Sequence, residues 1–317
     1  MQKISLLAWA ALSCVGTAAV AAPRVIEQGQ PAVILYPTVE QSDATRVVAP
    51  PINTAAELTY HGGTGGIGVE TAPKVYLVLW GRQWNKGDPS GESSLLQSFL
   101  GGVGGSSWFN SVTQYCQGVP VGTTFCNGAG TPVGNQPGML AGVWSDNALA
   151  APKHPTQGQL AAEAVAAAQH FGNTTGASNA SVQYVIATSH LHSSAGFGTQ
   201  YCAYHSWTGS SVGNVAYTNL PYITDAGANC GADFNGLGAD AGITIVEGHE
   251  FAETATDQFP SSGWIDSSGA ENGDKCAWIR SGQGAAADTT FTTGTFAVQS
   301  LWSNAFAGNT GGCVLSF

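Results

Sequence analysis

Lys74-Val-Tyr-Leu-Val-Leu-Trp80 is the stretch of sequence on which the fold depends. Its β-branched and aromatic residues lie between Pro73 and Gly81, and a short apolar run with such boundaries is typical of a buried strand. Val182-Gln-Tyr-Val-Ile-Ala-Thr188 has the same character and predicts a second buried strand. These two runs predict the centre of the sheet.

Helical segments alternate with these strands. Residues 159–171 form an Ala-rich segment, preceded by Thr156 as a helix cap, and their composition favours a helix. Residues 91–100 predict a shorter helix, and residues 139–144 and 215–217 predict weaker strands. This alternation predicts a layered α/β domain around a central mixed sheet, with an α+β arrangement as the alternative.

Composition restricts the partners that the chain can bind. Its 317 residues are 43% hydrophobic and 9% charged, which provides enough apolar material for a large core. Twenty acidic residues stand against nine basic ones, and the net charge of −11 repels nucleic-acid phosphates and anionic lipid surfaces. Beyond the N-terminus the sequence has no apolar run of about 18 residues, the length that a membrane span needs. We therefore expect neither a nucleic-acid partner nor membrane association.

The N-terminus has the features of a secretory signal peptide. Lys3 is followed by an apolar stretch, residues 4–15, and by the small-residue exit Ala19-Val-Ala21. We predict that residues 1–22 are removed on export and that the mature protein is secreted, to the extracellular space or the periplasm. Cleavage also removes Cys14.

Two further segments follow the signal peptide. Residues 23–57 are rich in Pro, Val and Ala without a helical or strand period, so we predict an N-terminal extension or pro-segment without regular structure. Residues 58–317 show no internal repeat and no second core, which predicts a single catalytic-type domain. We expect this domain to be a monomer.

The remaining cysteines predict a disulfide framework. An even number in an exported chain favours disulfides, and the absence of any Cys-x-x-Cys spacing argues against a thiolate zinc site. Proximity along the chain favours three of the alternative pairings, which are Cys116–Cys126, Cys202–Cys230 and Cys276–Cys313. The Gly-rich stretch at residues 118–138 is expected to be a surface loop held by one of these disulfides.

Residues 240–257 carry the most informative chemistry. Asp240 is placed to cap a helix, and the surrounding apolar residues predict that this helix is largely buried. His249 and Glu253 are four positions apart, so their side chains leave the same helix face and can bind one cation. Glu250 is turned by about 100°, where a general base reaches a metal-bound water without coordinating the metal. The pattern is the His-Glu-x-x-His zinc motif with a glutamate in place of the second histidine.

A metal at this helix needs a third ligand from elsewhere in the chain. The sequence resembles thermolysin-like metallopeptidases, because Glu271 follows Glu253 by 18 positions and Asp274 lies nearby. The resemblance implies that Glu271 is a ligand and that Asp274 orients His249 through its other ring nitrogen. Asp274 as a ligand is the competing assignment. Zinc is the expected metal, with calcium or manganese as alternatives because an oxygen-rich site also suits those ions.

A site without metal is the alternative interpretation of the same residues. His249 and the acidic side chains would then form hydrogen-bonded helix contacts or a solvated face. The chain has nine basic residues, so ion-pair partners are scarce, and burying several carboxylates without a cation is costly. This cost favours the metal site.

Other histidines and a tyrosine are further candidates. His190 and His192 follow the second predicted strand and lie on one side if the strand continues. This predicts that the two histidines form a two-point grip, in which both bind one metal ion. His205 suits a proton donor, an oxyanion partner or a metal ligand. Its neighbour Tyr204 is predicted to stabilise an oxyanion or, alternatively, to pack as a core aromatic.

Several motifs together resemble the phosphate-induced, EXORDIUM-like family of secreted proteins. They follow the family's order and are Leu58-Thr-Tyr-His61-Gly62-Gly63, Val75-Tyr-Leu-Val-Leu-Trp80-Gly81, Cys202-Ala-Tyr-His205, Gly248-His249-Glu250-Phe-Ala-Glu253 and Glu271-Asn-Gly-Asp274-Lys-Cys276. Val298-Gln-Ser-Leu-Trp302-Ser-Asn304 is similar to the bacterial branch. The resemblance implies an extracellular location and an α/β body similar to that of metallopeptidases, but no particular reaction.

The predicted function is that of a secreted metal-dependent peptidase. A metal held by His249, Glu253 and Glu271 polarises the scissile carbonyl and a water, and Glu250 takes the proton of that water. The expected partner is a protein or peptide substrate, and no organic cofactor is indicated. Two alternatives stay open. One is a non-catalytic extracellular or cell-wall-associated binding protein with a structural cation, and the other is a glycoside hydrolase that pairs Glu250 or Glu253 with Glu271 or Asp266.

Overall fold

The computed structural model describes residues 27–31, 33–48 and 57–317, so the predicted signal peptide lies outside the described residues. The strands are β1 Ile34–Tyr36, β2 Thr59–Tyr60, β3 Lys74–Trp80, β4 Cys116–Gln117, β5 Thr131–Pro132, β6 Leu140–Asp146, β7 Val182–Thr188, β8 Ala203–Ser210, β9 Gly213–Leu220, β10 Trp264–Ile265, β11 Ala287–Phe291, β12 Gly294–Val298, β13 Leu301–Ser303 and β14 Gly312–Val314. The α-helices are α1 Val39–Val48, α2 Glu92–Val103, α3 Gln157–His170, α4 Ala241–Thr256 and the single turn α5 Phe306–Asn309. Short 3-10 helices lie at Arg82–Lys86, Phe109–Val112, Ile223–Cys230, Phe234–Gly236 and Asp274–Cys276.

Six strands form a central sheet in the order β1-β8-β9-β7-β3-β6. Four of them, β9, β7, β3 and β6, run parallel, whereas β8 is antiparallel to its neighbours β9 and β1. The sheet is therefore mixed, as predicted. β3 and β7 have the predicted bounds and pair along their whole length, from Lys74 opposite Val182 to Trp80 opposite Thr188. Their continuous apolar character fits strands covered on both faces.

Helices cover both faces of this sheet. Leu160 and Ala164 of α3 pack with Ile186 on one face. Val185 precedes Ile186 on β7 and pairs with Leu77 of β3. Both Val185 and Leu77 belong to the core on the other face, where α2 and α4 lie. Successive side chains of a strand point to opposite faces, so one run of sequence supplies both cores. The predicted layered α/β architecture is confirmed.

The α3 helix begins at its predicted cap. The side chain of Thr156 accepts a hydrogen bond from the Gln159 backbone N–H at 3.2 Å, and the Gln159 side chain accepts one from the Thr156 N–H at 3.0 Å. This capping box satisfies two backbone donors at the start of the helix. The Glu27 carboxylate accepts a third hydrogen bond, from the Gln157 N–H at 2.8 Å. The chain before β1 is therefore attached to the start of α3.

The prediction of no regular structure in residues 23–57 is wrong. β1 joins the edge of the central sheet, with Ile34 opposite His205 and Tyr36 opposite Ala203, and α1 follows directly. A strand of three residues is too short to show a period in the sequence, and the backbone groups of β8 complete its hydrogen bonds. We refer to residues 27–48 as the N-terminal segment, and through β1 this segment is part of the sheet.

The α4 helix is buried along its whole length, which confirms the prediction of a largely buried helix. It lies on the face of the sheet that carries α2, and the β11–β12 hairpin contacts it. Asp240 takes the N-cap position, but its side chain makes no capping hydrogen bond to the described residues, so its predicted capping role is wrong. Gly242 lies so close to the Cys230 carbonyl that packing already holds the start of the helix.

All three predicted disulfides are present, joining Cys116 to Cys126, Cys202 to Cys230 and Cys276 to Cys313. The Cys276–Cys313 disulfide joins the segment after α4 to β14, and it therefore supports the residues that face α4 from that segment. None of the described helices combines the length and apolar character needed to cross a bilayer.

Candidate metal centre

Six ionisable side chains meet between α4, β8 and the segment that follows β10. His249, Glu250 and Glu253 come from α4, and His205 comes from β8. Glu271 and Asp274 come from the later segment. We refer to these residues as the buried centre, because five of them are inaccessible to solvent and only 9% of the Asp274 side chain is exposed.

One half of the buried centre is organised by the predicted helix motif. His249 Nε2 lies 3.1 Å from Glu253 Oε2, so the two side chains face a common point as their spacing predicts. Asp274 Oδ1 lies 3.8 Å from the same histidine nitrogen. One ligand atom each of His249, Glu253 and Asp274 lies within 4.8 Å of the other two. This half therefore has the dimensions of a cation site.

The other half is organised by His205. Its Nε2 lies 2.8 Å from Glu271 Oε2 and 3.6 Å from Glu253 Oε2. His205, Glu250 and Glu253 also place one ligand atom each within 4.8 Å of one another. Glu253 is thus shared by both halves. The helix pattern contains no signal for His205, because the register of β8 brings this side chain to the face that α4 covers.

The segment after β10 fits closely against α4. The backbone N–H of Asp274 donates to Glu253 Oε1 at 2.8 Å, and the N–H of Glu271 donates to Asp274 Oδ2 at 3.1 Å. A Cβ atom on Gly273 would lie 2.6 Å from His249 Nδ1 and 2.9 Å from Glu253 Oε1. Only glycine permits so close an approach of backbone to a side-chain cluster.

Gln299 sets the orientation of the His249 ring. Its Oε1 lies 3.3 Å from His249 Nδ1 and accepts the Tyr36 hydroxyl hydrogen at 2.7 Å, while its Nε2 donates to the Gly273 carbonyl at 2.9 Å. An amide oxygen is an acceptor, so this network assigns the proton to Nδ1 and leaves Nε2 free to bind a metal. The predicted orientation of His249 by Asp274 is wrong, because Gln299 occupies that nitrogen and Asp274 faces Nε2. The sequence interpretation missed Gln299.

Several polar atoms of the buried centre have no hydrogen bond of good geometry to the described residues. They are His249 Nε2, Glu253 Oε2, Glu271 Oε1, both carboxylate oxygens of Glu250, and His205 Nδ1. Buried polar atoms in folded proteins are nearly always paired, and each exception calls for an explanation. His249, Glu250 and Glu253 belong to the groups whose ligand atoms converge, which is the arrangement of ligands around a cation, whereas His205 Nε2 is hydrogen-bonded to Glu271 Oε2 at 2.8 Å.

Burial dominates the titration of the buried centre. Desolvation raises the pKa of Glu253 and of Asp274 to about 8, and it raises the pKa of Glu250 and of Glu271 well above the ordinary range, with neighbouring carboxyls adding to both of these shifts. Desolvation also lowers the pKa of His205 to about 3 and that of His249 to about 4. The imidazoles are therefore neutral at pH 7, the form in which histidine binds metals, and a divalent cation would favour ionised carboxylates.

Aromatic rings close the His249 side of the buried centre. Tyr36 of β1 stacks on the His249 ring at 3.8 Å with an interplanar angle of 17°, and Trp278 stacks on Tyr36 at 4.9 Å. Two cavities of about 630 and 580 Å³ are lined by residues outside the buried centre. The N-terminal segment thus covers the candidate metal ligands.

Tyr204 lies away from the buried centre. It alternates with His205 along β8 and belongs to the core on the α3 face, where its ring contacts Tyr201 edge-on at 5.5 Å. The structure therefore supports the alternative of a packed aromatic. Asp266 also lies apart from the buried centre, since its Oδ2 accepts a hydrogen bond from Lys275 Nζ at 2.9 Å.

His190 and His192 do not form the predicted two-point grip. β7 ends at Thr188, and Leu191 has a φ of 62°, so the strand does not continue through the two histidines. His190 Nδ1 binds Asp225 Oδ1 at 2.5 Å, and His192 Nδ1 lies 3.0 Å from the His190 carbonyl oxygen. We refer to His190 and Asp225 as the exposed pair, because 44% and 14% of their side chains are exposed.

Comparisons with family models, with curated proteins and with solved structures found no match to this chain. The resemblance to EXORDIUM-like proteins therefore stays a prediction from short motifs.

Proposed function

We propose that the protein is a secreted metal-dependent hydrolase that cleaves peptide bonds. The observation that carries the proposal is the convergence, in a fully buried position, of metal-ligand atoms without hydrogen-bond partners among the described residues. Two imidazoles and several carboxylates form a ligand set that suits zinc or manganese better than calcium, which prefers oxygen ligands alone. Three disulfides fit the proposed export of the chain.

Each residue has a role in the proposed reaction. Asp274, rather than Glu271, completes the ion site at His249 and Glu253, because its Oδ1 lies on the Nε2 side of the ring. The bound ion would polarise the scissile carbonyl and lower the pKa of a water. Glu250 lies next to Glu253, and neither of its carboxylate oxygens makes a hydrogen bond of good geometry to the described residues, so it is placed to take the proton of that water.

Access to the ion requires the N-terminal segment to move. β1 is a three-residue edge strand, and the exposed Arg280–Asp43 ion pair of 2.8 Å is one of the contacts that attach α1. A cavity of about 630 Å³ lies between α1 and the body, and the three disulfides all lie within residues 116–313. Release of residues 27–48 would uncover His249 without breaking a covalent cross-link. In this proposal the N-terminal segment is a pro-segment.

Replacement of Glu250 by Gln tests the reaction. The amide keeps the shape of the side chain but cannot accept a proton, so we expect hydrolysis of an unstructured protein substrate to fall by about 10² to 10⁴-fold with unchanged metal content. Activity is measured before and after limited proteolysis within residues 49–56. Glu163→Gln on α3 is the matched control and should keep full activity. Undiminished hydrolysis by Glu250→Gln would exclude the mechanism.

Complete burial favours a second candidate, a binding protein in which the cation only stabilises the fold. In that case a chelator lowers the melting temperature, and no peptide-bond hydrolysis appears with or without residues 27–48. A glycoside hydrolase has less support, because its reaction uses two carboxyl groups and no imidazole, whereas both imidazoles of the buried centre lie beside carboxylates, at 2.8 and 3.1 Å.

A further inference from the structure

Glu253 lies between two imidazoles. Its Oε2 is 3.1 Å from His249 Nε2 and 3.6 Å from His205 Nε2, and it has no hydrogen bond of good geometry to the described residues. Its other oxygen, Oε1, accepts the backbone N–H of Asp274 at 2.8 Å, so Oε2 is the atom that faces both imidazole nitrogens and could bridge two ions.

Each imidazole also has a carboxylate of its own. Asp274 lies on the His249 side, with Oδ1 3.8 Å from Nε2. Glu271 lies on the His205 side, with Oε2 2.8 Å from Nε2. The two acids are held together by the Glu271 N–H, which donates to Asp274 Oδ2 at 3.1 Å. The buried centre therefore contains one histidine and one acid on either side of Glu253, hydrogen-bonded to each other on the His205 side and 3.8 Å apart on the His249 side.

One ion cannot use all of these ligands. Zinc in proteins is commonly four-coordinate with ligand distances of about 2.0 to 2.2 Å for nitrogen and oxygen, whereas the buried centre offers six side chains. The structure groups five of them as two overlapping sets, each within 4.8 Å, which are His249, Glu253 and Asp274 on one side and His205, Glu250 and Glu253 on the other. The sixth, Glu271, adjoins the second set through His205, 2.8 Å away.

We propose that the buried centre binds two divalent cations bridged by Glu253, one held with His249 and Asp274 and the other with His205 and Glu271. This inference rests on the metal site of the proposed function and adds a second ion to it. Such ions are typically about 3.5 to 4 Å apart in hydrolases, where they bind the attacking and leaving oxygens together.

The charges support two ions rather than one. Glu250, Glu253, Glu271 and Asp274 carry four negative charges when ionised, which two divalent cations neutralise. Among the described ion pairs the two lysine or arginine side chains are engaged elsewhere, Lys275 with Asp266 and Arg280 with Asp43. A single ion would leave more of these carboxyls without a cationic partner, and the nearby buried acids Glu247 and Asp257 add to their number.

Glu250 keeps its role in this arrangement. One of its ligand atoms lies within 4.8 Å of those of His205 and Glu253, so its carboxylate is next to the second ion and to any water bound there. The proposed base would then act on a water that touches both ions.

Metal stoichiometry tests the proposal on the full exported chain, purified without a metal-affinity column. The protein is saturated with Mn²⁺ or Zn²⁺, freed of excess ion and measured by mass spectrometry. We expect two ions per chain in the unmodified protein, one in His205→Ala and one in Asp274→Asn. His61→Ala, which changes an exposed histidine outside the buried centre, is the control and should keep two. The Mn²⁺ form should show a spin-coupled electron paramagnetic resonance spectrum that becomes that of an isolated ion in His205→Ala.

One ion per chain at saturation would overturn the proposal, and so would two ions without spin coupling. Glu271→Gln, which nearly keeps the size of the side chain, replaces His205→Ala if the latter does not fold, and it should also bind one ion. Hydrolysis is measured separately. Two coupled ions without hydrolysis would refute the proposed function and leave this inference intact. Hydrolysis by a protein that binds one ion would refute this inference and leave the proposed function intact.

Discussion

The buried centre and the exposed pair contain similar residues but differ in what surrounds them. In the exposed pair, His190 binds Asp225 at 2.5 Å and 44% of its side chain is in contact with solvent. In the buried centre, His249 Nε2 and Glu253 Oε2 face each other at 3.1 Å, inaccessible to solvent and without hydrogen bonds of good geometry to the described residues. For this reason we propose a metal site only at the buried centre, where burial removes water and the ligand atoms stay unpaired.

Removal of the shared carboxylate of Glu253 should give the largest difference in stability between a change in the buried centre and a change in the exposed pair. Glu253→Ala takes away the bridging ligand, so we expect loss of all bound metal. The free energy of unfolding of the loaded protein should fall by about 3 to 5 kcal/mol, because the remaining buried charges lose their partner. Asp225→Ala, the matched change in the exposed pair, should cost about 0 to 1 kcal/mol. Denaturant unfolding and metal analysis measure both, and equal costs for the two variants would contradict the comparison.

The free energy of unfolding should depend on pH differently in the metal-free and the metal-bound protein. The pKa of Glu253 and of Asp274 is raised to about 8 in the fold, so these carboxyls stay protonated there while they ionise in the unfolded chain. The stability that these two carboxyl groups give to the metal-free fold is complete below about pH 4 and is lost as the pH rises towards 8. The lowered pKa values of His205 and His249 act in the opposite direction, but only up to about pH 6.5.

The informative window is therefore pH 6.5 to 8. In urea unfolding with chelator, we expect the free energy of unfolding to decrease across this window. With metal bound the carboxylates are ionised in the fold as well, so the decrease should become smaller. Part of it should remain, because burial also raises the pKa of Glu70, Glu92 and Glu163 to about 8. His190→Ala should leave both pH profiles unchanged. The same slope with and without metal would show that no cation binds these carboxyls.

The two tyrosines that contact the histidines offer the smallest and most selective test. Tyr36→Phe keeps the ring over His249 but removes the hydroxyl that donates to Gln299, which should cost about 1 kcal/mol and loosen the ring. We expect a faster loss of metal to a chelator. Tyr222 contacts His190 edge-on at 5.5 Å, and Tyr222→Phe should leave the rate of metal loss unchanged. If both variants release metal at the unmodified rate, Gln299 does not orient His249 through Tyr36.

Local patterns predicted much of the fold and half of the candidate site. β3 and β7 were predictable because a buried strand needs an unbroken apolar run, and α3 because Thr156 and Gln159 form a capping box within four residues. The pairing of His249 with Glu253 follows from the helical repeat alone. Consecutive cysteines paired because short loops join them most readily.

The other half of the site depends on contacts between distant parts of the chain. His205 meets Glu271 because β8 turns this side chain towards α4, and Tyr36 reaches His249 because β1 adds to the same sheet edge. Gln299 has no motif around it, although its amide holds the imidazole. The extended interpretation of His190 and His192 failed because Leu191 adopts a positive φ, which no apolar pattern signals.

By itself, the sequence determined the central strands β3 and β7, the helices α3 and α4, and the one histidine–glutamate pair that a helical turn brings together, since hydrogen bonding and hydrophobic period act over a few residues. The tertiary structure decided which acids join that pair, which ring nitrogen is free and that an N-terminal strand covers it. Those outcomes depend on strand register and on close packing at Gly273, which arise only when segments far apart in the chain compete for the same buried space.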